Sequence, residues 1–212
     1  MKIKRKALQI ASLGINYGAL TVILYTLFSG NAVHSFLIFL AAGIHEAGHI
    51  LAASVLGIKI KEMRLDLIGA SLMTSGIHSY RDERILCAAG PFFNLLGILL
   101  SYPLQRLFIF KSILPKASEY LGFFCGACLC LMLINLLPVR GFDGGRILAS
   151  LLSEYIGIDL SDNIMNILTL ICIGTLWATS IYLIIKYQSS LSLFTFSIML
   201  FARIFLKDKE QR

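Results

Sequence analysis

Charge is what this sequence has least of. Only 15% of its 212 residues are Asp, Glu, Lys or Arg, against about 25% in soluble domains. Hydrophobic residues make up 57%, and the mean hydropathy is +0.79. That balance excludes an ordinary soluble domain and implies a membrane protein. The five cysteines carry little weight. Cys125, Cys128 and Cys130 cluster inside an apolar run, where cysteine behaves as a small hydrophobe and lacks the turn geometry of a zinc knuckle. A cleavable signal is not expected, although Gly30 and Ala32 give a weak small-x-small cleavage site. The apolar run after the basic start "MKIKRK", Ala7–Phe28, is 22 residues long, whereas a signal's apolar core is about 7 to 15. It reads as a retained first span.

A bilayer core needs about 20 mostly apolar residues per helix. Besides Ala7–Phe28, such runs occur at Val33–Leu56, Cys87–Leu104, Tyr120–Leu137, Ile164–Ile185 and roughly Leu191–Phe205. The expectation is an all-α polytopic membrane protein of about six transmembrane helices, forming one integral-membrane domain over residues 1–206 with a short cytoplasmic tail, 207–212. Lys and Arg concentrate in cytoplasmic loops. Six spans beginning inside place both termini, Gly57–Arg84 and Pro138–Asn163 in the cytoplasm, and these segments hold most of the nineteen Lys and Arg residues. Orientation and anionic lipid therefore account for the formal charge of +7, with no need for nucleic acid.

The second run, "VHSFLIFLAAGIHEAGHILAASVL", carries His45, Glu46 and His49. Residues four apart on a helix share a face, so two imidazoles can reach one ion. Glu46, one residue along, is placed to take a proton from a water on that ion. Zinc suits this chemistry because it lowers the pKa of bound water from about 15.7 to about 7. In mid-span such a carboxylate costs on the order of 2.5 to 3.5 kcal/mol on insertion scales and marks function by default. Val33 to His45 is about 18 Å at 1.5 Å per residue, which puts the ligands at depth. Gly43 with Ala47, and Gly48 with Ala52, admit a close neighbouring helix.

Catalytic zinc usually has three protein ligands and an open position. Other candidates are Asp66, Asp82, Glu83, Glu119, Glu154, Asp159, Asp162, His34 and His78, most of which lie in loops next to basic residues and have a simple solvated explanation. Asp143 differs. It sits in "LINLLPVRGFDGGRILASLL", where Pro138 and Gly141 break an apolar helix and a new one starts after the aspartate. Broken helices at membrane depth line a cavity or are buried in protein. A helix N-cap role, or an ion pair with Arg140 or Arg146, is compatible with ligation.

HEAGH followed about a hundred residues later by "NLLPVRGFDGGRIL" resembles the site-2 proteases, intramembrane zinc metalloproteases with HExxH and N-x-x-P-x-x-x-x-D-G motifs. "AAGPFFNLL", Ala88–Leu96, is similar to the glycine-proline-asparagine motif of that family's third core helix. The length and span number look most like the bacterial branch containing the sporulation pro-sigma-factor processing protease. The resemblance implies zinc held by His45, His49 and Asp143, with Glu46 as general base. It also implies a substrate embedded in or associated with the cell membrane, such as a pro-sigma or anti-sigma factor, cut near the cytoplasmic side. A membrane inhibitor or activator fits the same pattern. No segment reads as a PDZ domain, and no CBS domain is expected after the last span.

Between the second and third spans, Met63, Leu65 and Leu67 alternate with Glu62, Arg64 and Asp66, and Gly69 offers a turn. This period predicts a short membrane-associated β-hairpin. It either caps the active-site helix or pairs by its edge with an unwound substrate, in which case Gly69, Ser71, Leu72 and Met73 bind substrate. Asn94 and Asn135 either bond between helices or contact substrate or oxyanion. A different function, metal transport or a non-catalytic metal scaffold, also places histidines and carboxylates in mid-span; Glu46 and the convergence on one site favour hydrolysis.

Overall fold

The computed structural model describes residues 13–15, 32–66, 69–75, 79–107, 115–187, 194–195 and 197–201. The chain forms two compact units divided between Leu136 and Leu137.

The first unit begins with strand β1, Leu13–Ile15, followed by helix α1, Ala32–Leu56. α1 ends where Gly57 adopts φ +70°. The Gly57 amide donates to Ser54 O (3.3 Å) and the Ile58 amide to Ala53 O (2.9 Å), the paired bonds of a Schellman stop. Its hydrophobic partners are present too: Ala53 and Ile58 are buried in one cluster with Ile60 and Leu86. The chain then enters β2, Lys59–Asp66, which runs antiparallel to β3, Gly69–Ser75. The register pairs Met63 with Leu72 and Arg64 with Ser71, with an irregularity between Ile60 and Glu62. β1 pairs in parallel with β2, Leu13 opposite Met63. Parallel pairing requires a crossover, here through α1. The order β1-β2-β3 makes β3 an outer strand.

Helix α2, Tyr80–Arg106, opens on Ser79, whose Oγ accepts the Asp82 amide at 3.1 Å. Asp82 and Glu83 in its first turn and Arg106 in its last complement the helix dipole. Its buried residues, Leu86, Cys87, Gly90, Pro91, Asn94, Gly97 and Ser101, recur every three or four positions, so one narrow face of small and polar groups meets the neighbouring helices. A Cβ on Gly48 of α1 would lie 2.6 Å from Ala89 O, which is how closely α1 approaches α2. Helix α3, Pro115–Asn135, places Phe124 and Cys128 in a second core cluster with Ala41.

In the second unit, Gly141 takes φ +94° and the Phe142 amide donates to Val139 O at 3.1 Å. Phe142 is the extended N-cap of α4, Asp143–Ile156, and its carbonyl accepts the Arg146 amide at 3.0 Å. The new helix therefore starts at Asp143 itself, one residue earlier than expected from sequence, and the N-cap is Phe142. α4 stops at Gly157, φ +86°, and α5, Ile158–Tyr187, follows. Ser161 Oγ donates to Ala149 O at 3.1 Å, tying α5 to α4.

The described chain is mostly helical, and four helices are long and apolar enough to cross a membrane: α1, α2, α3 and Ile158–Lys186 of α5. These overlap the second to fifth expected spans. The sixth, Leu191–Phe205, falls largely outside the described residues, as do most of Ala7–Phe28 and the tail 207–212. Within the first expected span, Leu13–Ile15 is a strand, which corrects the expectation of an uninterrupted helix. Hydropathy cannot separate a short apolar strand from a helix. Gly14 and Gly18 each cost a helix about 1 kcal/mol relative to alanine, and β2 offers an edge to pair with.

Candidate metal centre

The expected ligands on α1 meet side by side. His45 and His49 are both buried, and their Nε2 atoms lie 3.2 Å apart. Two nitrogens bound tetrahedrally to zinc at about 2.0 to 2.1 Å would be about 3.3 Å apart. The pair is thus already spaced for one ion.

Each ring is held from behind by α2. His49 Nδ1 lies 2.8 Å from the Leu86 carbonyl. A carbonyl only accepts, so Nδ1 carries the proton and Nε2 keeps its lone pair, the arrangement that orients metal-binding histidines. Leu86 stands beside Cys87, whose carbonyl has no helical donor because Pro91 lacks an N–H. His45 Nδ1 lies 3.1 Å from Asn94 Nδ2. Asn94 is fully buried, and its Oδ1 has no hydrogen-bond partner among the described residues.

Gly90 completes this half of the site. A Cβ there would run into His49 Nε2 and come within 2.7 Å of His45 Nε2. The missing side chain lets α2 pack directly against both imidazoles at their Nε2 atoms, where any larger residue would displace the rings or a bound ion.

Asp143 begins α4 and is buried. The preceding turn is gripped by α5: the Arg140 amide donates to Thr169 Oγ1 (3.1 Å) and its guanidinium to Asp162 Oδ1 (2.7 Å) and Asp162 O (3.0 Å). A Cβ on Gly145 would strike Val139 O, so the turn also folds tightly onto the start of α4. Asp143, in the second unit, is the third residue that the motif resemblance implies as a ligand.

Glu46 is half-buried on α1, one residue past His45. The remaining candidates disperse. His34 packs edge-on against Tyr120 and Phe123, Asp162 pairs with Arg140, and Asp82 and Glu83 serve the first turn of α2. Asn135 donates back to Leu131 O at 3.0 Å within its own helix. Gly69, Ser71, Leu72 and Met73 lie along β3, and His78 lies outside the described residues. Sequence reasoning did not identify the Leu86 carbonyl or Gly90 as part of the site. The only signal was "AAGPFFNLL", which marks Gly90 without stating what it faces.

No protein-family model matches the chain. Over 129 residues, 59% of the chain, it is 34% identical to a zinc metalloprotease of Methanocaldococcus jannaschii; the aligned part is 36% of that protein, so the chain spans little over a third of its relative's length. Its fold is similar to the solved site-2 protease from the same organism, with TM-score 0.61 and 22% identity over 91% of this chain and 88% of that one. The structural likeness shows the fold.

Proposed function

We propose that the chain is an intramembrane zinc metalloprotease that hydrolyses a peptide bond in a membrane-embedded or membrane-associated protein. The observation that carries this reading is the buried His45–His49 pair, 3.2 Å between Nε2 atoms, on a helix apolar enough to span a bilayer. A structural histidine pair would use the same backbone acceptor, but it does not require a glycine at position 90 against both Nε2 atoms, where a metal site has to keep side chains away.

His45, His49 and Asp143 would hold the ion. When bound, zinc supplies the Lewis acidity that makes water a nucleophile near neutral pH and polarises the scissile carbonyl. Glu46 accepts the proton of the attacking water and returns it to the leaving amine. A helical substrate shields its own peptide bonds, so it must be presented extended. β3, an outer strand, offers main-chain groups for such pairing, with Gly69, Ser71, Leu72 and Met73 along it and Asn135 as a further substrate contact.

Basic residues in and after the sheet, Lys59, Lys61, Arg64, Arg81 and Arg84, favour a cytoplasmic face there, and with it cleavage near the cytoplasmic side and cytoplasmic termini. Release of a regulator such as a pro-sigma or anti-sigma factor, control by a membrane inhibitor or activator, and a place in the bacterial sporulation branch follow from the motif resemblance.

Glu46→Gln tests the reading. In native membranes the variant should keep its zinc, lose about 10²- to 10⁴-fold of its cleavage rate, and trap by crosslinking a protein that the wild type shortens. Wild-type cleavage by the variant, or a wild-type protein that binds no zinc, defeats the proposal.

A further inference from the structure

We propose that Asn94 is a positioning residue: its amide oxygen accepts Nδ1–H of His45 and thereby fixes the tautomer whose Nε2 lone pair faces the metal position. The inference rests on the metal reading above and concerns which end of the amide meets the ring.

The two histidines are supported differently. His49 has no choice, since the Leu86 carbonyl 2.8 Å away can only accept. His45 faces an amide, which can donate from one end and accept at the other. If Asn94 donates to His45 Nδ1, the neutral ring carries its proton on Nε2. That proton then points across 3.2 Å to His49 Nε2. The result is a closed chain of hydrogen bonds, from Asn94 through both rings to Leu86, that consumes the lone pairs a metal needs. If Asn94 accepts, His45 carries its proton on Nδ1, and both Nε2 lone pairs are left free beside Gly90.

The two ends of an amide have nearly the same shape. A half-turn of Asn94 about its Cβ–Cγ bond therefore interconverts the arrangements with the 3.1 Å contact retained. In a neutral ring this moves one proton from Nε2 to Nδ1, and no net charge changes. Asn94 Oδ1 already lies buried without a partner among the described residues, so donating through Nδ2 leaves the amide's acceptor unused. Turning it to Nδ1–H uses that acceptor and reproduces at His45 the support that Leu86 gives His49. Acceptors behind metal-binding histidines are the common pattern.

The test uses the full chain purified in detergent micelles, with Zn²⁺ competed against a chromophoric chelator. Asn94→Leu, which removes both ends of the amide, should weaken zinc binding by about 10- to 100-fold. Asn94→Asp, which can only accept, should retain wild-type affinity. ¹⁵N spectra of labelled histidine should place the His45 proton on Nδ1 in zinc-loaded wild type and in Asn94→Asp. Unchanged affinity in Asn94→Leu overturns the proposal, as does equal loss in both variants or a His45 proton found on Nε2 in the loaded wild type. A wild-type chain that binds no zinc would instead overturn the metal reading itself, so the two failures are distinguishable.

Discussion

His45 and His49 come from an unbroken helix, whereas Asp143 comes from the first residue of a helix that starts after an interruption. A regular helix places two side chains on one face by its period alone, and only ring orientation remains to be set, which α2 does from behind. A ligand at an interruption has no period to rely on. Its position is set by a turn, and the turn by what holds it: Gly141 at positive φ, the Phe142–Val139 bond, and Arg140 clasped by Thr169 and Asp162. The histidine half should therefore be sensitive to volume and the aspartate half to chemistry.

Gly90→Ala should have the largest effect. Its methyl would run into both Nε2 atoms, and bound zinc measured by mass spectrometry should fall as for an affinity loss of more than about 100-fold, beyond the usual cost of losing an outer-shell partner. Gly43→Ala on α1, with nothing within 4 Å of the added carbon, should leave zinc unchanged. Asp143→Asn preserves volume but removes charge, and zinc affinity should fall by about 10- to 100-fold, in the range of lost ligand support; wild-type affinity in this variant would remove the aspartate from the metal reading. Asp162→Asn should matter least. The pair with Arg140 is partly exposed, 32% and 57%, and such pairs contribute about 0 to 1 kcal/mol. Thermal unfolding should shift slightly, with zinc affinity close to wild type because the Arg140 amide keeps its bond to Thr169. An effect as large as that of Gly90→Ala would mean that the interruption is held by this ion pair alone.

Much of this arrangement was legible in the sequence because it follows from local rules. The four-residue spacing of His45 and His49, the break marked by Pro138 and Gly141, and the alternation from Glu62 to Leu67 each describe neighbours along the chain. What stayed hidden depends on distant partners. Leu13–Ile15 looks like lipid-spanning sequence until its pairing with Met63–Leu65 is known. Arg140 has Asp143 nearby in sequence, yet it pairs with Asp162, 22 positions on. Asn94 meets His45 across 49 positions, and a glycine carries no side chain to announce what it must avoid.

The oxygen behind His49 belongs to the main chain. Codon changes at Leu86 can alter packing and leave that acceptor in place, so in a saturation mutagenesis screen position 86 should tolerate other apolar residues of similar size. Position 94 should behave in the opposite way, since its acceptor is written in the side chain. One histidine's support is thus protected from point mutation by its place in the backbone, and the other's is open to genetic loss.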